Sequence, residues 1–164
     1  MKLLIIIPAY NEASNIERVV DNLIENYSQY DYVIVNDGSS DDTRKICANR
    51  KYNFLDLPIN VGLAGAIRAG IRYANYHGYD YAVQIDGDGQ HEPKYIKDML
   101  EKMETAQADI VIGSRFKEEK KPNSMRMLGS RIISGAIKLT TGGKKIEDVT
   151  SGMRLFNKRM IKNF

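Results

Sequence analysis

Short apolar runs alternate with amphipathic segments along the first two thirds of the chain. The runs lie at residues 3–7, 32–35, 81–85 and 110–112, with a weaker one at 54–57. Each is continuous rather than alternating, which is typical of strands that are buried on both faces of a parallel sheet. We therefore expect a parallel sheet that is covered by helices on both sides.

The segments between these runs carry the 3.6-residue period of amphipathic helices. In the clearest one, apolar residues recur at helical spacing over residues 16–27, and Ser14 with Glu17 fits a capping box. Further helices are predicted to begin near residue 42, to span 64–76, to follow Pro93 and to span 125–139, and a last short strand is predicted at 154–156. This order predicts an α/β fold with a doubly wound, mostly parallel sheet flanked by helices.

Length and composition favour one ordinary globular domain over residues 1–164. The chain is 43% hydrophobic and 27% charged, which argues against a disordered or coiled-coil protein. The longest aliphatic run, at residues 3–7, is far shorter than the roughly 20 residues that cross a bilayer. Cys47 is the single cysteine, which excludes an intrachain disulfide or a thiolate metal cluster and fits the reducing cytoplasm.

The net charge of +3 conceals two parts of opposite sign. Residues 1–114 contain 11 basic and 17 acidic side chains, a balance of −6, whereas residues 115–164 contain 13 and 4, a balance of +9. A basic segment of this kind either binds an anionic partner or, more commonly, forms a solvated helix face. Residues 115–164 are therefore a candidate anion-binding part.

Polar motifs follow four of the predicted strands, at the edge where open parallel sheets bind ligands. They lie at residues 8–12, 36–42, 86–90 and 113–115. Asp86 and Asp88, followed by Gln90, offer hard oxygen ligands suited to Mg²⁺ or Mn²⁺, which would also hold a diphosphate. A polar turn is the alternative, but the position after a buried strand favours the metal site.

Other residues at the same edge are candidates for binding a nucleotide. Asp37 can accept hydrogen bonds from ribose hydroxyls or a base, whereas Asp41 and Asp42 fit helix capping better. Tyr10 offers a ring that can stack on a base. The small residues at 60–65 permit close backbone approach to a ligand, or equally close helix packing. The chain lacks the G-x-x-x-x-G-K-S/T and G-x-G-x-x-G patterns, which argues against an ATPase and a nicotinamide enzyme.

Four motifs in the same order resemble the inverting family-two glycosyltransferases with a GT-A fold. They are IIIPAYNE at residues 5–12, VNDGSSDDT at 35–43, NVG at 60–62 and DGDGQH at 86–91. GSRF at 113–116 and DVTSGMRLF at 148–156 are similar to the branch that includes dolichyl-phosphate mannosyltransferase and bacterial polyprenyl-phosphate glycosyltransferases. The resemblance implies transfer of a sugar, with inversion, from a UDP- or GDP-sugar.

The resemblance also implies roles for the residues at the matching positions. Those expected to bind the nucleotide-sugar are Pro8, Ala9, Tyr10, Glu12, Asp37, Asn60, Gly62, Asp86 and Gly87. Those expected to hold Mg²⁺ or Mn²⁺ are Asp86, Asp88 and Gln90. Those expected to take part in catalysis are Asp88, Arg115 and Asp148.

Two types of acceptor remain open. A hydroxyl acceptor needs a general base, for which Glu147 and Asp148 are available. A lipid phosphate is already anionic and needs cations, for which Arg115, Arg131 and Arg154 are candidates. The basic balance of the tail favours the lipid phosphate, at the cytoplasmic face of a membrane, and no nucleic-acid partner is expected.

Three alternative functions follow from the same motifs. One is a hydroxyl-acceptor glycosyltransferase of cell-wall or polysaccharide synthesis. A nucleotidyltransferase would need a glycine-rich loop with a Lys or Arg after the first strand, and residues 8–12 offer none. The third is a nucleotide-binding fragment, because relatives of this type continue into further helices that help form the acceptor site. For the main interpretation we expect one catalytic domain, with residues 1–114 as the donor and metal half and residues 115–164 as a basic acceptor-side part that is truncated at its C-terminal end.

Overall fold

The computed structural model describes residues 1–87, 92–113 and 152–164. Its strands are β1 (Leu3–Ala9), β2 (Asp31–Asp37), β3 (Phe54–Leu57), β4 (Tyr81–Gln84), β5 (Ile110–Ile112) and β6 (Arg154–Asn157). Its helices are α1 (Ile16–Asn26), α2 (Thr43–Asn49), α3 (Gly62–Tyr76), α4 (Ile96–Ala106) and α5 (Lys158–Asn163), with a 3₁₀ turn at Pro93–Tyr95 before α4. The elements predicted within these ranges are confirmed, and α5 is an addition. The helix predicted at 125–139 lies outside the described residues.

The described strands form one sheet in the order β3-β2-β1-β4-β6-β5. β1 pairs in parallel with both β2 and β4, and β2 pairs in parallel with β3. β6 is antiparallel to β4 on one side and to β5 on the other. The predicted mostly parallel sheet is therefore confirmed, with one reversed strand inserted between β4 and β5.

The direction of winding changes between β1 and β4. The chain moves outward from β1 through β2 to β3, and α3 then carries it back across to β4 on the other side of β1. Successive connections leave the two neighbouring strands in opposite directions, so a crevice opens beyond their carboxyl ends. We call the carboxyl ends of β1 and β4 the switch point.

Two apolar clusters cover the two faces of the sheet. Alternate side chains of β1 enter each cluster, because successive residues of a strand point to opposite faces. The cluster at one face contains Leu3, Ile5, Ile7 and Ala9, which pack with α1, α2 and α4. Leu4 and Ile6 pack with α3 and α5 on the other face. Cys47 is a buried member of the first cluster, and burial raises the pKa of its thiol to about 11.

The two outer strands depart from the expected full burial. All seven residues of β1 are buried, as its sequence predicts. β3 and β5 form the edges of the described sheet, and their residues are half-buried or exposed, with Ile110 the most exposed in β5. Each of these strands has only one neighbouring strand in the described sheet, which leaves its other edge unshielded.

The predicted capping box at the start of α1 is wrong. Asn15, not Ser14, occupies the N-cap position, and its side chain makes no capping hydrogen bond to the helix. Its amide donates instead to the Glu12 carboxylate at 2.8 Å. The Glu12 carbonyl accepts from the backbone N–H groups of Asn15 and Ile16, so the loop after β1 starts the helix.

None of the helices in residues 1–87, 92–113 and 152–164 is long and apolar enough to cross a membrane.

Candidate functional site

The loop after β1 is joined to the loop after β2 by the side chain of Asn11. Its Oδ1 accepts hydrogen bonds from the backbone N–H groups of Ser40, at 2.8 Å, and Asp41, at 3.3 Å. Its own N–H donates to Ser39 Oγ at 3.0 Å. Asn11 has φ 57°, a left-handed conformation that Asn adopts more readily than most residues. The two motifs therefore form one rigid surface beyond β1 and β2.

A second link joins these loops through the start of α2. Asp41 Oδ1 accepts from the Thr43 N–H, and its Oδ2 accepts from the Ala13 N–H, each at 3.0 Å. Thr43 Oγ1 accepts from the Glu12 N–H at 2.9 Å. Partial burial acts to raise the pKa of Asp41, but the hydrogen bonds from Thr43 and Ala13 outweigh it and hold that pKa below its ordinary value. Asp41, one residue before the N-cap, thus accepts from the first N–H of α2 as its predicted capping role requires, whereas Asp42 occupies the N-cap position without a side-chain bond, so its predicted role is wrong.

Asp37 ends β2 and is buried at the base of the same edge. Its Oδ1 accepts a hydrogen bond from the backbone N–H of Val61 at 2.8 Å, immediately before α3. Asn60 Oδ1 accepts from the Gly62 N–H at 3.0 Å. The structure thus brings the predicted nucleotide-binding residues Asp37, Asn60 and Gly62 together.

Gly38 permits this approach because it has no side chain. It has φ 64°, and a Cβ built on it would lie 2.5 Å from the Asn60 nitrogen and 2.6 Å from the Ile59 carbonyl carbon. Both are backbone atoms, so neither can turn aside. The loop after β2 and the segment before α3 therefore meet backbone to backbone.

At the switch point the loop after β4 packs against the loop after β1. A Cβ built on Gly87 would lie 3.1 Å from the Pro8 carbonyl oxygen and 3.4 Å from Glu12 Cγ. Ala9 is buried beneath this contact, and Tyr10 is half exposed above the edge. All nine residues predicted to bind the nucleotide-sugar lie in the described residues, at the carboxyl ends of β1, β2 and β4 or the start of α3.

Asp86 follows β4 and is contacted on both carboxylate oxygens. Gln84 Nε2 donates to Asp86 Oδ1 at 3.1 Å. Oδ2 lies against the bare α-carbon of Gly152, where an added Cβ would be 1.9 Å away. Gln84 pairs with Arg154 across β4 and β6. The side chains of directly opposed residues lie on the same face of a sheet. Arg154, which is predicted to bind an acceptor phosphate, therefore lies on the same face of the sheet as Gln84.

The donor set at Asp86 fits a hard divalent cation. A half-buried carboxylate held from two sides at the end of a strand supplies the oxygen ligand that Mg²⁺ and Mn²⁺ prefer. Within residues 1–87, 92–113 and 152–164 there is no group of three His, Cys, Asp or Glu side chains that could hold a metal. The other two predicted metal ligands, Asp88 and Gln90, lie outside the described residues, as do Arg115, Arg131 and Asp148.

Sequence reasoning missed three residues that shape this site. Asn11 and Gly152 lie within the motifs, but no local pattern assigns them a role, because their partners are remote in the chain. Gln84 lies within the predicted apolar run at 81–85, although a fully buried Gln between Val83 and Ile85 is unusual in a strand. This polar residue within an apolar run is the sequence signal that indicates a role for Gln84.

Residues 4–164 match the family described as Glycosyl transferase family 2. The chain belongs to this family. The resemblance drawn from its motifs is therefore confirmed.

Curated relatives with at least 30% identity over nearly the whole chain include two lipid-phosphate glycosyltransferases. One is the UDP-N-acetylglucosamine–dolichyl-phosphate N-acetylglucosaminyltransferase of Methanococcus voltae, 33% identical over 96% of this chain and 70% of its own length. The other is the undecaprenyl-phosphate mannosyltransferase of Micrococcus luteus, 32% identical over 95% of this chain and 66% of its own length.

Two solved structures share the fold. A mannosyltransferase from Pyrobaculum calidifontis, in complex with GDP-Man and Mn²⁺, superposes with a TM-score of 0.66 at 17% identity, covering 99% of this chain and 46% of that one. Glucosyl-3-phosphoglycerate synthase from Mycobacterium tuberculosis, with Mn²⁺, UDP-glucose and phosphoglyceric acid, gives 0.69 at 18% identity, covering 97% and 57%. At these identities the likeness concerns the fold alone, and the chain spans about half of either solved chain.

The close approach at Gly38 predicts a strong effect of one added methyl group. Gly38→Ala should lower the free energy of unfolding by roughly 2 to 5 kcal/mol, from left-handed strain plus the collision with the backbone of residues 59–60. Gly78→Ala is the matched control, because Gly78 has φ 73° but nothing within 4 Å of an added Cβ. Its free energy of unfolding should fall only by the cost of left-handed strain, about 1 to 2 kcal/mol. Equal losses in urea-induced unfolding would show that the two loops are not in contact.

Proposed function

We propose that this chain is a catalytic domain of an inverting, metal-dependent glycosyltransferase. It transfers a sugar from a UDP- or GDP-sugar to a polyprenyl or dolichyl phosphate at the cytoplasmic face of a membrane. Residues 1–114 bind the donor and the metal, and residues 115–164 contribute to the acceptor side of the same domain.

The observation that carries this proposal is the packing of Gly87 against Pro8 and Glu12 at the switch point. This contact places Asp86 beside the loop that Asn11 links to the end of β2, and Asp37 ends that strand. A nucleoside diphosphate needs hydrogen-bond acceptors for its ribose or base and charge neutralisation for its phosphates. These two kinds of group lie on adjoining loops at one edge of the sheet.

The donor is held by residues that the fold already orients. Asp37 has one carboxylate oxygen bound to the Val61 N–H, which fixes the direction of the other. Tyr10 is half exposed and available to stack on a base. Asp86, Asp88 and Gln90 would hold Mg²⁺ or Mn²⁺. When bound there, the cation neutralises negative charge on the departing diphosphate.

Sugar transfer to a lipid phosphate is a single displacement. An oxygen of the acceptor phosphate forms a bond to the anomeric carbon from the face opposite the diphosphate. The bond from that carbon to the donor oxygen breaks, and its electron pair leaves with the nucleoside diphosphate, which inverts the configuration. The acceptor needs no general base, because it is already anionic, and Arg115, Arg131 and Arg154 supply cations for it.

The lipid phosphate is supported by two independent features. The relatives at 33% and 32% identity are named for dolichyl phosphate and undecaprenyl phosphate. The balance of +9 in residues 115–164 suits both an anionic acceptor and an anionic membrane surface. A hydroxyl acceptor would instead depend on Glu147 or Asp148 as general base.

Metal-dependent nucleotide binding tests the donor site. Calorimetry should detect binding of UDP or GDP that strengthens with Mn²⁺, and Asp88→Ala should abolish the Mn²⁺-dependent part by removing a ligand. Asp98→Ala, which removes an exposed carboxylate in the first turn of α4, is the matched control and should bind as the wild type does. Binding that is indifferent to Mn²⁺ in the wild type would count against the site.

An acceptor assay tests the reaction. Purified protein with UDP- and GDP-sugars should transfer sugar to undecaprenyl or dolichyl phosphate, and Arg131→Ala should raise the KM for the lipid more than the KM for the donor. Arg68→Ala, at an exposed position on α3, should change neither. Transfer to a sugar hydroxyl but to neither lipid phosphate would overturn the proposed acceptor. Donor binding without any transfer would favour the nucleotide-binding alternative.

A further inference from the structure

Gln84 is a polar residue at a fully buried position of the sheet, where the neighbouring residues are apolar. It is 1% exposed, and it lies in β4 between Val83 and Ile85, which are equally buried. Its Oε1 is buried and has no hydrogen-bond partner in the part of the chain that the structure describes. An unpartnered buried acceptor costs free energy that an aliphatic side chain of similar volume would avoid. Packing of the sheet therefore does not explain the choice of Gln.

The choice of Gln is explained by the nitrogen end of its side-chain amide. Nε2 donates to Asp86 Oδ1 at 3.1 Å, and only this end of the amide can bind a carboxylate by donation. Asp86 lies two residues further along the chain, just beyond the end of β4, and this hydrogen bond joins its carboxylate to the Gln84 amide. The amide of Gln84, the last residue of β4, therefore donates a hydrogen bond to a carboxylate that lies at the switch point.

The second carboxylate oxygen is restrained by a different contact. Asp86 Oδ2 lies so close to Gly152 that a Cβ there would be 1.9 Å from it. The carboxylate thus accepts a hydrogen bond through Oδ1 and lies against Gly152 through Oδ2, so both oxygens are restrained. Gly152 precedes β6, and β6 is held in register with β4 by the pairing of Gln84 with Arg154.

We propose that Gln84 is a positioning residue that fixes the Asp86 carboxylate in the orientation that binds the metal. This inference rests on the proposed function, because it takes Asp86 as a metal ligand. Residues that orient metal ligands by hydrogen bonding act through the ligand and not by touching the metal, and their loss weakens metal affinity without removing a ligand.

The test measures Mn²⁺ affinity in the presence of UDP or GDP, from the electron paramagnetic resonance signal of free Mn²⁺. Gln84→Leu and Gln84→Met retain most of the volume but cannot donate to Asp86. Each should weaken Mn²⁺ affinity by about 10- to 100-fold. Neither should lower the melting temperature appreciably, because each also removes the unpartnered buried acceptor. A merely structural role predicts the opposite pattern, with lower stability and unchanged affinity.

Tyr79→Phe is the matched control. It removes a hydrogen bond of similar length, from the Tyr79 hydroxyl to Asp31 at 3.0 Å, beyond the amino end of β4 and away from the switch point. Its Mn²⁺ affinity should equal that of the wild type, whatever stability it loses.

Asp86→Asn separates failure of this inference from failure of the proposed function. If Asp86→Asn leaves Mn²⁺ affinity unchanged, Asp86 is not a ligand and both fail. If Asp86→Asn weakens binding while Gln84→Leu and Gln84→Met keep wild-type affinity, the positioning role alone is overturned. Loss of the fold in both Gln84 variants would make Gln84 a structural residue and would also overturn it.

Discussion

The parallel pairing of β1 with β2 on one side and with β4 on the other is the constraint on which the candidate site depends. Every residue of β1 is buried, so a shift of one residue in either register would exchange the side chains of the two apolar clusters. That register places the Pro8 carbonyl against Gly87 and aligns Ala9 with Asn36. The loops that carry the polar motifs are thus brought together by apolar packing beneath them.

Local rules of sequence and backbone are broken where these loops meet. Asn11 has a left-handed backbone, Gly38 and Gly152 lie where no side chain fits, and Gln84 is polar inside the sheet. Departures of this kind concentrate at functional sites, where geometry takes precedence over stability. Here they share one consequence, since each lets a polar group or a backbone segment approach the carboxyl edge closely.

Much of the fold follows from periodicity, because continuous apolar runs and helical stripes are local signals. The strand at 154–156 was predicted on the same grounds, but its place between β4 and β5 was not, since pairing order is a property of the whole sheet. The motifs likewise placed Asp37 and Asp86 at strand ends. Their partners came only from the structure, because Val61 and Gly152 lie 24 and 66 positions away along the chain.

The position of the bound metal relative to Asp86 decides whether this edge of the sheet is the metal and nucleotide site. A crystal structure of the protein with Mn²⁺ and UDP or GDP, with data collected at the manganese absorption edge, would locate the ion by its anomalous signal. We expect one manganese peak within coordinating distance of the Asp86 carboxylate, with the diphosphate beside it and the nucleoside next to Asp37. A manganese ion bound to the nucleotide at any other place, with Asp86 outside its coordination shell, would contradict it.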